Sequence, residues 1–106
     1  MLNFHKSLKG MSAAKTNEER VNLRELFESL NADLNTTLKE ETIKKIKGLS
    51  VSAWEIIVGN LRVFYVYDTP GITVVHISRK QKNKTEKPDL KIVEKRAKEI
   101  LNKKGK

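Results

Sequence analysis

Two ionisable side chains stand where strands should be apolar. Arg62 lies in the run Leu61-Arg62-Val63-Phe64-Tyr65-Val66-Tyr67, and His76 lies in Ile72-Thr73-Val74-Val75-His76-Ile77-Ser78. An unpaired charge inside an apolar strand is costly, so Arg62 requires a carboxylate, a phosphate or solvent at a sheet edge. His76 admits two readings. It is either a strand histidine satisfied by its neighbours, or a group that transfers a proton or contacts a phosphate. Directly after this run comes Arg79-Lys80-Gln81-Lys82-Asn83-Lys84, which is too polar for a core. Just past a sheet edge, that segment would gather several cations in one place.

The charge of the whole chain points the same way. Residues 79–106 hold 12 Lys+Arg against 4 Asp+Glu, a net of +8, whereas residues 1–78 hold 10 against 9, a net of +1. Nearly all of the +9 therefore falls in the last quarter of the chain, the electrostatic pattern of a phosphate-binding surface. A basic tail that only keeps the protein soluble is the alternative. The partner expected from charge is a polyanion, either nucleic acid or an acidic protein. Cysteine is absent, which excludes a disulfide framework and a thiolate zinc site. The two histidines are far apart and form no HxxxH or HExxH pattern, so no metal site and no cofactor are expected. No apolar run reaches transmembrane length and no signal-peptide core is seen, so the expectation is a cytoplasmic protein without membrane contact. The 106 residues read as one domain, with flexible ends at 1–15 and 102–106.

The elements that must position Arg62 and His76 form a meander over 54–78. Trp54, Ile56 and Val58 alternate with Glu55 and Ile57 in its first strand. Gly59-Asn60 suits a primed hairpin turn. In the second strand Val63, Tyr65 and Tyr67 share one face, and Arg62, Phe64 and Val66 the other. Asp68-Thr69-Pro70-Gly71 signals a turn before the third strand, Ile72 to Ser78. Apolar residues on both faces predict cover on both sides of the sheet. Upstream, Leu2 and Phe4 alternate as a short first strand would. Thr16 and Glu19 fit a capping box ahead of an apolar stripe of Val21, Leu23, Leu26, Phe27 and Leu30. A second capping box at Thr37 predicts a second helix carrying Leu38, Ile43 and Ile46 and stopping at Gly48. The two helices would form a hairpin against the sheet. Lys44, Lys45 and Lys47 then suit the C-terminal end of that helix dipole, and Lys47 also borders the start of the meander. Pro88 opens a last helix with Leu90, Val93, Ala97, Ile100 and Leu101 in its stripe. The fold class is α+β.

The meander resembles the RelE/ParE superfamily of small bacterial toxins, in particular its HigB-like, phage-derived branch. The residues that carry the resemblance are Trp54-Glu55 at the start of the sheet, Gly59-Asn60-Leu61-Arg62-Val63-Phe64-Tyr65, and Val75-His76-Ile77-Ser78-Arg79-Lys80. They continue as Lys82, Lys84, Pro88 and Ala97. Together they span about half of the chain, residues 50–100. Two positions depart from the pattern. Ile57 stands where the branch commonly has an arginine, and no tyrosine follows Tyr67.

The resemblance implies a RelE-like arrangement: an N-terminal helical hairpin on a small antiparallel sheet, a meander at its centre and a C-terminal helix. It implies the toxin of a type II toxin–antitoxin pair that cuts messenger RNA on the ribosome without a metal. The ribose 2′-hydroxyl would attack the adjacent phosphate, leaving a 2′,3′-cyclic phosphate and a 5′-hydroxyl. Arg62, with Arg79 or Lys80, would contact the scissile phosphate, and preorganised cations of this kind stabilise a developing phosphorane. His76 would transfer the proton. Lys82, Lys84 and Lys47 would hold the RNA backbone. A ParE-like protein inhibitor of DNA gyrase is the second expectation. A non-catalytic basic nucleic-acid-binding module is the third, although most aromatic residues fall on core faces, which argues against an exposed stacking platform.

Overall fold

Thr16 starts the first helix as its sequence requires. Its hydroxyl accepts from the Glu19 amide at 3.1 Å, while Glu19 Oε1 accepts from the Thr16 amide at 3.3 Å, a closed capping box. Helix α1 runs Asn17–Ala32 and buries Leu23, Leu26 and Leu30. The computed structural model describes residues 2–8, 13–79 and 87–104. In chain order the elements are β1 (Leu2–Phe4), α1, α2 (Leu34–Glu40), β2 (Thr42–Lys45), β3 (Trp54–Val58), β4 (Leu61–Asp68), β5 (Gly71–Arg79) and α3 (Lys87–Lys104).

The strands make one five-stranded sheet in the order β1-β5-β4-β3-β2. The expected meander forms its centre, with Ile56 opposite Val63 and Arg62 opposite Ser78. Gly59 supplies the hairpin turn with φ of +57°, a backbone state that glycine enters without a Cβ clash. The expected N-terminal strand is present and lies parallel to β5, with Leu2 opposite Ile72. The alternating pattern predicted two covered faces, and both exist. On one face Leu23, Leu26 and Leu30 of α1 pack on Ile56, Val63, Tyr65, Ile72, Val74 and Ile77. On the other, Val93 and Ala97 of α3 pack on Phe64, Val66 and Val75. Ala97 is fully buried there, and its small side chain lets α3 lie close to the sheet. Each large side chain buried in this way contributes about 1.5–3 kcal/mol.

The expected second helix ending at Gly48 is not found. Helix α2 stops at Glu40, with Asp33 rather than Thr37 as its N-cap, and the chain turns into β2. Lys44 and Lys45 therefore lie on an edge strand and not in the last turn of a helix. The reason is the spacing of the apolar residues. Ile43 belongs to the α1-side core and Ile46 to the α3-side core, so they share no single stripe. The outer edge of β3 also needs hydrogen-bond partners, and Thr42 to Lys45 supply them against Ile57 to Trp54. The sheet thus has five strands rather than a meander and one added strand.

Candidate functional site

His76 owes its orientation to an irregularity in β5. Phe64 of β4 pairs with His76, but the next residue, Tyr65, pairs with Val74, so Val75 is an extra residue in the ladder. A bulge of this kind turns two successive side chains towards one face. Val75 enters the core beneath α3, and the His76 ring stacks on Phe64 with centroids 5.5 Å apart and planes 26° apart. The His76 Nε2 lies 2.8 Å from Asp89 Oδ1 in the first turn of α3. The side chains keep 14% and 21% of their surface exposed, so the pair sits at the margin of the core.

Arg62 is on the same face but inside it. Arg62 is 3% exposed and Glu55 5%, and Arg62 Nη1 lies 3.5 Å from Glu55 Oε2. Of the three partners the sequence allows, the carboxylate is the one found. Arg79, the last residue of β5, points to the opposite face. Its Nη1 donates to Glu19 Oε1 at 2.6 Å, joining β5 to the start of α1. The Arg79 hydrogen bond, helped by the backbone amides of Lys15 and Thr16, holds the Glu19 carboxyl at about 2, well below the usual carboxylate range.

The structure thus brings Arg62 and His76 to the α3 face and separates Arg79 from them. Lys47 is exposed, in the connection between β2 and β3. Lys80, Lys82 and Lys84 lie outside the described residues. Each described candidate near the sheet has its own carboxylate: Glu55 for Arg62, Asp89 for His76 and Glu19 for Arg79. Sequence reading missed all three carboxylates as partners. Asp89 could be recognised as an acidic residue at a helix start, but its meeting with β5 depends on how α3 docks. His5 was also missed. It is 4% exposed, accepts from the Ser7 amide through Nδ1 at 3.0 Å, and meets Glu99 of α3 through Nε2 at 3.3 Å.

The aromatic residues are less uniformly buried than the sequence suggests. Phe64 and Tyr65 are fully buried, but Tyr67 is 47% exposed. Trp54 meets Tyr67 edge-on at 4.7 Å, and Lys45 Nζ lies 5.7 Å from the Trp54 ring. This ledge is on the α1 side of the sheet, away from His76. An apolar groove of about 610 Å³ opens between β1 and α1, lined by Leu2, Phe4, Leu8 and Phe27 among others, and none of the candidate residues lines it. Among the described residues no three of His, Cys, Asp and Glu converge as metal ligands, and no helix is long and apolar enough to cross a membrane.

Fold and site together define a small α+β protein whose five-stranded sheet is covered by a helix on each face and carries a half-buried histidine–carboxylate pair where β5 meets α3. The chain belongs to the phage-derived Gp49-like family (DUF891), whose family model matches residues 8–98. No curated protein shows significant similarity to it.

Proposed function

We propose that this protein is the toxin of a type II toxin–antitoxin pair and that it cleaves messenger RNA on the ribosome. The observation that carries the reading is the phage-derived family match over residues 8–98. That span contains the whole meander that resembles the HigB-like branch of the RelE/ParE toxins. The protein acts where messages are translated, in the cytoplasm, and a cognate antitoxin protein holds it inactive.

The proposed reaction needs three jobs done. His76 takes the proton from a ribose 2′-hydroxyl as its oxygen attacks the adjacent phosphorus. The bond to the 5′-oxygen then breaks, and that oxygen leaves as a 5′-hydroxyl, taking its proton from water. Negative charge on the phosphorane is met by cations, a form of stabilisation strengthened where water is excluded. Arg62 is engaged with buried Glu55, and Arg79 with Glu19 on the face away from His76, so in this reading the role falls to Lys80. Lys82, Lys84 and Lys47 hold the RNA backbone. A positioned general base contributes roughly 10²–10⁴-fold, so His76→Gln should lower cleavage by about that factor without unfolding the protein.

A second reading is a basic RNA-binding module without catalysis. The exposed Tyr67 ledge with Trp54 and Lys45 favours it, because stacking on aromatic rings suits unpaired bases. Induced expression in a bacterium, followed by mapping of transcript 5′ ends, separates these readings. New 5′-hydroxyl ends inside translated frames, lost in His76→Gln, are expected. Growth arrest with intact messages would overturn the nuclease reading and direct attention to a protein target such as gyrase.

A further inference from the structure

We infer that Asp89 is a positioning residue for His76: its carboxylate keeps the imidazole proton on Nε2, so that Nδ1 is the atom that accepts the proton from the attacking 2′-hydroxyl. The inference rests on the nuclease reading for its catalytic half. Its structural half stands on geometry alone.

An ionised carboxylate only accepts hydrogen bonds. At 2.8 Å from Asp89 Oδ1, Nε2 must therefore be the donor. In the neutral imidazole that sets the tautomer and leaves the lone pair on Nδ1, which has no hydrogen-bond partner among the described residues. Ring position is fixed as well. Phe64 lies against one side of the imidazole, and the Val75 bulge directs His76 towards α3. The His76 side chain keeps 14% of its surface exposed, at the margin of the core. Once Nδ1 has taken a proton, the imidazolium lies beside a carboxylate that stabilises it. This is the general logic by which an acidic residue orients a catalytic histidine.

A merely structural role, tying α3 to the sheet, is the competing account. Helix α3 has other attachments, however. Arg96 Nη1 donates to the Val75 carbonyl at 2.8 Å, Glu94 accepts from the Ser50 amide at 2.9 Å, and Val93 and Ala97 are fully buried. Loss of the Asp89 carboxylate should therefore leave α3 in place.

The test combines nitrogen NMR of the histidine rings with message cleavage, in wild type, Asp89→Ala and Asp89→Asn. His76→Gln assigns the signals. In the wild type the His76 ring should carry its proton on Nε2. In Asp89→Ala the tautomers should average, and cleavage should fall on the order of 10²-fold or more, with an unchanged melting temperature. Asp89→Asn keeps a polar group at the helix start and serves if the alanine variant is unstable. It too should lose cleavage while folded. A wild-type proton on Nδ1, or a folded Asp89 variant that cleaves at the wild-type rate, would overturn the inference. If the wild type leaves messages intact, the nuclease reading has failed instead. The tautomer in wild type and in Asp89→Ala then still decides whether Asp89 sets the ring.

Discussion

Arg62 shows how a residue chosen for its chemistry can be held by its surroundings. Its guanidinium and the Glu55 carboxylate expose 4% and 6% of their side chains, and they meet diagonally across the β3–β4 ladder, Arg62 pairing with Ile57 and Glu55 with Phe64. Removing one partner of a buried pair is destabilising, by up to about 3–5 kcal/mol, whereas replacing both with apolar residues of similar volume is often neutral. Arg62→Ala should therefore lower the unfolding free energy read from urea denaturation, and the double change Arg62→Met with Glu55→Leu should recover most of the loss. If Arg62→Ala unfolds like the wild type, the pair contributes little to the fold. The same logic bears on toxicity assays: loss of toxicity in Arg62→Ala reports folding before it reports catalysis. His76 is the better probe, because its contacts lie at the margin of the core. In the sequence, the need of Arg62 for a charged partner was legible, since no other outcome is tolerable in an apolar strand. That the partner is Glu55 was not legible, because it depends on the exact register of the hairpin.

At the level of elements, the pair of Glu19 and Arg79 links the capping box of α1 to the end of β5. The folded Glu19 carboxyl titrates at about 2, against an ordinary value of 4.5. A depressed carboxylate stabilises the fold above its unfolded value and loses that contribution as pH falls towards the folded one. The stability lead of the wild type over Glu19→Gln should thus be steady at neutral pH. It should shrink from about pH 4.5 and vanish near pH 2, as read from urea midpoints across that range. Glutamine keeps the capping box, so a lead that does not change with pH would show that the ion pair is not its source. The elements themselves differ in how far the sequence declared them. Helix α1 and the meander were readable because their cap, turns and alternation are local. Strand β2 was not. Thr42 to Lys45 have little alternation of their own and become a strand because the edge of β3 lies alongside. The bulge at Val75 was equally hidden, yet it is what brings His76 to α3.

Across the whole molecule, charge is divided unevenly along the chain. Residues 79–106 carry a net of +8 and the remainder +1. At physiological ionic strength charges act together over about 8 Å. Lys80, Lys82 and Lys84 stand at every second position of that basic stretch in the sequence. In the proposed reading all three contact phosphates, Lys80 at the point of cleavage, whereas His76 takes the proton, so His76 should be separable from binding. Each contact between a lysine and a phosphate of a single strand lowers the slope of log affinity against log salt by about 0.7. Changing Lys80, Lys82 and Lys84 to glutamine should then make the slope for single-stranded RNA shallower by about 2, as measured by fluorescence anisotropy over a salt series. His76→Gln should leave the slope as it is and lose cleavage alone. A slope that the triple change does not move would remove these lysines from the RNA surface and shift the search to Lys44, Lys45 and Lys47, which the fold places on the far edge of the sheet and the connection that follows it.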